Sequence, residues 1–343
     1  MSHDNEFIPN LEDLPTADEP RGFKPAEMVT CDACLRANPP TRTTCIYCMV
    51  VLPVAAGETD LRKPSLRPLE EWEQGFNNVL VSGVGNELPE QSLQEIASWL
   101  RLEPEVLRLI LERGDALPLA RATTLVESSV ISDRLQALGI KTVIVADADL
   151  KVETVPPKRI HALELRETSL HGREAVADAP PSISCDEISL IVTGRLLVNR
   201  VAVVENKFRG GERELVDSSE FTEDEPLVDI YSQTADEGWR IASRSFDFSC
   251  LGEKKKLLAA ENFVTLVQTL RERAPAATFD DSYPQLRKLL TAVWPMVQQT
   301  SGGGWRRMRP GKFNVQAVTT TNNEAQFTRY SRLRHYLQLQ GLQ

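Results

Sequence analysis

The segment that decides the fold of the N-terminal region is residues 31–48, CDACLRANPPTRTTCIYC. It contains two Cys-x2-Cys pairs, Cys31 with Cys34 and Cys45 with Cys48, separated by ten residues. Each pair directs two sulfur atoms at one point, and together they supply the four thiolates that a tetrahedral Zn²⁺ binds at about 2.3 Å. Because protein ligands fill all four positions, the sequence predicts one structural Zn²⁺ with no position left for a substrate.

Two other interpretations of these cysteines remain open. Four unrelated core cysteines would have no packing reason for regular spacing, and a redox Cys-x-x-Cys pair is expected beside a βαβ pattern. The two matched pairs disfavour both. The remaining cysteines, Cys185 and Cys250, are far apart in the sequence, and we expect them to be reduced, buried side chains.

Read residue by residue, the segment is Cys31-x2-Cys34-x3-Asn38-x6-Cys45-x2-Cys48, and it resembles the Ran-binding-protein type of zinc finger. In that family an asparagine at this spacing ties the two cysteine turns together through side-chain hydrogen bonds. The resemblance therefore implies that Asn38 supports the ligands without binding the metal itself. It covers only a small part of the chain.

Members of that family bind single-stranded RNA, ubiquitin or other proteins. RNA-binding members have an aromatic residue just before the first cysteine, where this chain has Met-Val-Thr (28–30), and the ubiquitin-binding Thr-Phe pair does not follow Asn38. Arg36, Arg42 and Tyr47 are the candidate nucleic-acid contacts in the finger, with one aromatic ring available for base stacking. The resemblance thus favours contact with a protein.

Composition limits the class of protein. The chain has 343 residues, of which 41% are hydrophobic and 26% charged, which is typical of a globular protein with two or three domains. The net charge of −10 argues against a protein that coats nucleic acid or anionic membrane over its whole surface. No apolar run approaches the roughly 20 residues that span a bilayer, and the acidic N-terminus does not read as a signal peptide. We therefore expect a cytoplasmic protein with no membrane span.

The sequence predicts an α+β, multidomain fold, because helical and strand-rich segments alternate with polar linkers. The predicted segments are a disordered acidic arm (1–27), a small zinc finger (28–53), a linker (54–70), a compact β-ααα-β domain (71–150), a β-rich barrel-like domain with C-terminal packing helices (156–300) and a basic aromatic tail (301–343). The packing helices are predicted to cover residues 259–273 and 283–299.

Two weaker resemblances concern the larger domains. The predicted strand, three helices and strand of residues 78–145, with LVES at 125–128 and LQALG at 135–139, resemble the C-terminal domain of the ribosomal large-subunit stalk protein. That likeness implies a fold and no ribosomal function, because Arg-Leu-Glu-Pro at 101–104 stands where the stalk protein has its factor-recruiting turn. Strands followed by a helix in 158–275 are similar to a pleckstrin-homology-type barrel, but no basic loop cluster indicates a phospholipid ligand.

We recognise no catalytic constellation in the sequence. Gly-Val-Gly at 83–85 begins a dinucleotide-binding motif, but Leu88 stands at its third glycine position. The four histidines are His3, His161, His171 and His335. None has a paired nucleophile or carboxylate pattern, so we expect polar surface positions for them and predict a non-enzymatic protein without a small-molecule substrate. An enzyme concealed in the β-rich domain would need a pocket that gathers carboxylates or histidines distant in sequence.

The last segment reverses the sign of the charge. After Ser-Gly-Gly-Gly at 301–304, which reads as a flexible joint, come Trp305 and the arginines Arg306, Arg307 and Arg309. Such a pattern is typical of phosphate and base contacts, or of a helix that docks on an acidic protein surface. The favoured function is a protein-interaction or regulatory adaptor. The alternative is a single-stranded RNA-binding protein that uses the finger and this tail.

Overall fold

The structure of the protein is a computed structural model. It describes residues 23–25, 28–42, 44–50, 52–53, 66–82, 88–174, 180–208, 213–309 and 312–342. Two compact units, Met1–Pro64 and Ser65–Gln343, are each described by themselves below. The predicted disorder of most of the acidic arm and the glycine motif at 83–85 lie outside the described residues.

The first unit is built around two short antiparallel strands, β1 (Val29–Thr30) and β2 (Ala37–Asn38). Among its described residues, the buried apolar cluster consists of Cys31, Cys45 and Leu52. So few buried side chains remove too little apolar surface from water to offset the entropy of ordering the chain. The described part of this unit therefore needs a further crosslink, which is the role that a structural metal plays in small domains.

The second unit begins with a three-stranded antiparallel sheet and its helices. The elements are β3 (Phe76–Ser82), α1 (Glu90–Leu100), α2 (Pro104–Arg113), β4 (Pro118–Ala122), α3 (Leu125–Ala137), β5 (Lys141–Ala146) and α4 (Asp147–Leu150). The strand order is β4-β3-β5. Strand β4 was not predicted from the sequence. It contains Pro118, and a proline normally argues against a strand. In the structure that proline is the first residue of a strand at the sheet edge, where a missing N–H is tolerated.

The rest of the unit is richer in strands. Its elements are β6 (Lys158–Arg159), β7 (Ala162–Leu165), β8 (Ser169–Arg173), β9 (Ser182–Ser184), β10 (Ile188–Phe208), β11 (Arg213–Ser232), β12 (Trp239–Ala242), α5 (Ala259–Arg273), β13 (Thr278–Asp280), α6 (Tyr283–Leu290), β14 (Val297–Arg309), β15 (Lys312–Asn322) and α7 (Glu324–Leu339). Strands β7, β8 and β9 form a small sheet. The mixed α+β fold class predicted from the sequence is confirmed.

A seven-stranded sheet organises this region, with the order β14-β15-β10-β11-β12-β6 and with β13 beside the start of β10. Residues 190–192 of β10 pair with β13, whereas residues 198–208 pair with β15. Strand β14 occupies part of the span predicted as a long helix, which ends instead at Leu290. Pro295 follows that end closely and cannot continue a helix.

The predicted basic tail is integrated into the fold. Residues 301–304 belong to β14 and form no separate joint. The side chains of Phe327, Tyr330, Leu333 and Leu337 on α7 are almost fully buried in the main core. Their spacing of three to four residues is a helical apolar stripe, and the arginines between them obscured that stripe in the sequence.

Most of the described basic charge of α7 is used inside the unit. Arg329 pairs with Glu71 at 3.0 Å, and Arg334 pairs with Asp280 at 2.8 Å. Arg332 donates to two backbone carbonyl groups, those of Val155 and Asp236. The buried Arg329 and Arg332 and the partly buried Arg334 are therefore paired with internal acceptors, as charges removed from water must be.

One apolar core joins the first sheet to the later elements. Val79 of β3 and Leu190 of β10 belong to the same buried cluster as α7. The fully buried Trp294 also donates its indole N–H to the side-chain oxygen of Asn77 on β3, at 3.0 Å. Residues 65–343 thus form one compact unit, and the boundaries that we place inside it at 70 and 150 stay predictions. Within the described residues, no helix has the length and apolar character to cross a membrane.

Candidate metal centre

The two Cys-x2-Cys segments fold into equivalent turns. In the first, the N–H of Leu35 donates to the carbonyl of Cys31 at 2.8 Å, and in the second the N–H of Met49 donates to the carbonyl of Cys45 at 3.0 Å. The N–H of each leading cysteine then donates to the carbonyl oxygen five residues later, at 3.0 and 2.8 Å. The same backbone hydrogen bonds therefore shape both halves of the site.

The turns bring the four thiols together. The Sγ atoms of Cys31 and Cys48 are 3.6 Å apart, those of Cys34 and Cys45 are 3.5 Å apart, and all four Sγ atoms lie within 4.8 Å of one another. A tetrahedron with metal–sulfur bonds of about 2.3 Å has sulfur–sulfur edges of about 3.8 Å. The four cysteines thus form a group that can hold one metal ion.

Asn38 connects the two turns. Its side-chain amide donates to the carbonyl of Arg36 at 2.9 Å, and its side-chain oxygen accepts from the N–H of Ile46 at 2.9 Å. These two partners belong to different cysteine turns, and Asn38 is fully buried between them. Such contacts fix the orientation of the backbone that carries the sulfur atoms.

The thiols influence one another electrostatically. Burial raises the pKa of Cys45, but the N–H groups of Tyr47 and Cys48 outweigh it and lower that pKa to about 6. For Cys48 the N–H of Val50 acts downward, yet burial and the other three thiols outweigh it and raise the pKa to about 12. Ionisation of Cys45 is therefore favoured, whereas ionisation of Cys48 in addition is opposed. A divalent cation would remove that resistance and favour the loss of all four protons.

Both turns carry a bulky apolar residue at an unusual backbone position. Leu35 has a φ of 58° and Met49 a φ of 60°, in the left-handed region that favours glycine. Their side chains are 78% and 72% exposed. Three further apolar residues of the second turn and its exit are at least 45% exposed, namely Ile46, Tyr47 and Val50. We call these five residues the apolar finger surface.

The apolar finger surface was not predicted from the sequence. A pattern of ligands predicts a metal site, but the exposure of the residues between and after the ligands depends on the turn geometry. One signal was available: positions directly after each Cys-x2-Cys pair, where a left-handed backbone is common, hold Leu35 and Met49 and no glycine.

The candidate nucleic-acid contacts separate into two groups. In the finger, Arg36 and Arg42 are exposed, and the Arg36 guanidinium lies over the Tyr47 ring, 4.7 Å from its centroid. That arginine covers one face of the aromatic ring available for stacking. Arg306, Arg307 and Arg309 lie in strand β14 of the other unit, and their predicted side-chain contacts fall outside what the structure describes.

The histidines and the other cysteines differ in burial. His335 is 5% exposed and stacks on Tyr231 with ring centroids 4.5 Å apart, so its predicted surface position is wrong. The apolar stripe of α7 carries it inward. Cys185 is buried as expected, whereas Cys250 is half-buried. Among the described residues, the four finger cysteines are the group of metal-binding residue types close enough to share one ion.

Comparisons with known proteins add no relative. No protein-family model, no curated protein and no solved structure matches the chain. The resemblances to the Ran-binding-protein finger, the stalk-protein domain and the pleckstrin-homology-type barrel stay predictions from the sequence.

Proposed function

We propose that the protein is a non-enzymatic interaction adaptor whose N-terminal module is held by one structural Zn²⁺ and binds a protein partner. Four thiolates complete a tetrahedral site, so this metal would stabilise the fold and would have no open position for catalysis. The apolar finger surface would then be the contact region. The small buried cluster of this unit supports the structural role of the metal.

The observation that carries the proposal is the conformation of Leu35 and Met49. A left-handed backbone costs a residue with a side chain on the order of 1 kcal/mol, and glycine avoids that cost. Both residues also leave most of their apolar surface in water. Residues that are strained and exposed at once are not explained by the stability of the finger, whereas contact with a partner would use both side chains.

Single-stranded RNA is the alternative ligand. Binding to RNA would use Arg36, Arg42 and Tyr47, but the contact between Arg36 and the Tyr47 ring occupies one stacking face. In residues 301–343, which were predicted to be a basic tail, Arg329 and Arg332 are buried against internal acceptors. These observations favour a protein partner over RNA.

Affinity capture with the full chain tests the proposal. The double variant Leu35→Gly/Met49→Gly removes the exposed side chains while easing the backbone, so zinc content should be unchanged. Leu257→Gly is the matched control, because this leucine is 99% exposed in the other unit. A partner retained by wild type and by the control, but lost by the double variant, is the expected result.

Equal capture of every protein by wild type and by the double variant would contradict the proposal. RNA binding is examined in parallel with mixed single-stranded oligonucleotides at increasing salt. Affinity that falls steeply with salt and depends on Arg36 would identify RNA as the ligand and reject the protein partner.

A further inference from the structure

Four strands of the large sheet form an arm with two open edges. Strands β14, β15, β10 and β11 are hydrogen-bonded in that order over residues 198–207 of β10. Strand β12 pairs with β11 only at residues 227–230, so residues 213–225 of β11 have no second neighbour among the described strands. Strand β14 forms the opposite edge. Unpaired edges present backbone donors and acceptors that can bind another strand.

The two edges carry opposite charge. Strand β14 has three arginines and no acidic residue. Residues 213–225 of β11 have one arginine and six acidic residues, Glu214, Asp217, Glu220, Glu223, Asp224 and Glu225. Some of this negative charge is already paired, since Arg195 binds Asp224 at 2.8 Å, Arg244 binds Glu223, and the N–H of Arg244 donates to the Glu225 carboxylate at 2.7 Å. Glu214, Asp217 and Glu220 still outnumber the basic residue of this edge, Arg213. The β14 edge is therefore net positive and the β11 edge net negative, so the two edges are complementary in charge.

The strand directions make the two edges compatible. Every neighbouring pair in the arm is antiparallel, and the arm contains an even number of strands. Strand β14 therefore runs opposite to β11. When a second copy of the chain is placed beside the first in the same orientation, its β14 meets the β11 edge in an antiparallel arrangement. The sheet continues without a change in its pattern.

We propose that copies of this chain associate through these edges, with β14 of one copy pairing with residues 213–225 of β11 in the next. The register within one copy supports the match. Arg306 pairs with Asn314, Asn314 with Asn206, and Asn206 with Glu214, so one row across the sheet begins with a cation and ends with an anion. In an unstaggered assembly, Arg306 of one copy comes beside Glu214 of its neighbour. Because two different edges meet, the contact is repeated from copy to copy and gives rings or open chains.

A charge exchange tests the proposal, with association measured by sedimentation velocity over a range of protein and salt concentrations. Arg306→Glu and Glu214→Arg each place like charges at the contact and should weaken association by about three- to tenfold. The combined variant restores an opposite pair and should recover affinity. Within one copy the two positions are three strand spacings apart, about 14 Å, so recovery reports contact between copies.

Matched controls are Lys288→Glu and Glu95→Arg, which make the same charge changes at exposed helix positions away from both edges. Circular dichroism verifies that each variant is folded. A wild-type chain that stays monomeric at high protein concentration and low salt overturns the proposal. A loss of association with Arg306→Glu but none with Glu214→Arg also overturns it, because that result indicates pairing between two β14 strands.

Discussion

Asp229 and Arg240 form a two-point ion pair inside the second unit. They lie opposite each other on β11 and β12, and Nε and one terminal nitrogen of Arg240 each donate to a different carboxylate oxygen at 2.8 Å. The Arg240 and Asp229 side chains are 4% and 0% exposed. Arg240 also donates to the hydroxyl of Thr328, so the pair joins the sheet to α7.

Removing one member of this pair should be far more damaging than removing both. Arg240→Met leaves the Asp229 carboxylate buried without its partner, and we expect a loss of roughly 3–5 kcal/mol in the free energy of unfolding. The double variant Arg240→Met/Asp229→Leu leaves neither charge and should lose much less. Chemical denaturation of the three proteins measures the difference. Equal losses in the single and double variants would show that the charge itself is unimportant.

Gly194 is a packing requirement of β10. A Cβ at this position would lie 2.3 Å from the Phe327 ring, a separation that real atoms do not adopt. Gly194→Ala should therefore cost about 1–3 kcal/mol in the free energy of unfolding, as overpacking does. Gly302→Ala in β14 is the control, because a Cβ there meets nothing within 4 Å. If Phe327→Leu makes the Gly194 substitution less costly, the clash with that ring is the cause.

Stability should decrease in mild acid because of His335. Burial is the main cause that lowers its pKa, and Arg332 and Lys151 act in the same direction, while the carbonyl of Ser232 and the carboxylate of Asp236 oppose them. The unfolded chain therefore binds a proton at a pH where the folded chain does not. The contribution of the neutral His335 to the free energy of unfolding is fully present above about pH 6.5, and it is lost as the pH falls toward the pKa of His335 in the folded protein.

Thermal melts between pH 8 and pH 5 measure this effect. The variant His335→Gln keeps a donor for the Ser232 carbonyl but cannot titrate, so its melting temperature should depend less on pH than that of wild type. An identical slope in the two proteins would assign the acid sensitivity to other groups.

Asn38 should determine metal affinity without binding metal. Asn38→Ala removes both hydrogen bonds that connect the cysteine turns, and we expect affinity for Zn²⁺ to fall about 10- to 100-fold. Asn38→Asp keeps an acceptor for the N–H of Ile46 and loses the donor to Arg36, so an intermediate loss is expected. Competition with a chelator of known affinity gives the constants. Unchanged affinity in Asn38→Ala would mean that the backbone alone orients the thiols.

Features that depend on local spacing are predictable from the sequence. The four cysteines are predictable because ligand geometry fixes their separation, and α5 was predicted over residues 259–273, the range it occupies. Strand β4 was missed because five residues beginning with Pro118 give too short a pattern. Its pairing with β3 is a contact between distant parts of the chain, which local propensity does not report.

The segment 301–343 illustrates a different limit. Its arginines read as a solvent-exposed binding surface, but whether a basic side chain faces water or an internal carboxylate is decided by tertiary packing. Arg329 and Arg334 find their partners in Glu71 and Asp280, which are distant in sequence. The burial of His335 follows from the same helix. The exposure of Leu35 and Met49 could not be predicted from the sequence either, because it depends on the orientation of the two turns.

Metal removal should affect the two units unequally. We expect one Zn²⁺ per chain by elemental analysis, and Cys45→Ser should abolish binding because three thiolates and a hydroxyl make a much weaker site. Cys185→Ser, which changes a buried cysteine of the other unit, is the control and should keep the metal. A strong chelator should unfold only the finger, whose buried apolar cluster is small, while the main thermal transition of residues 65–343 stays in place. Freshly purified, reduced protein without bound metal would reject the structural zinc, and a shift of the main transition after chelation would show that the metal also stabilises the second unit.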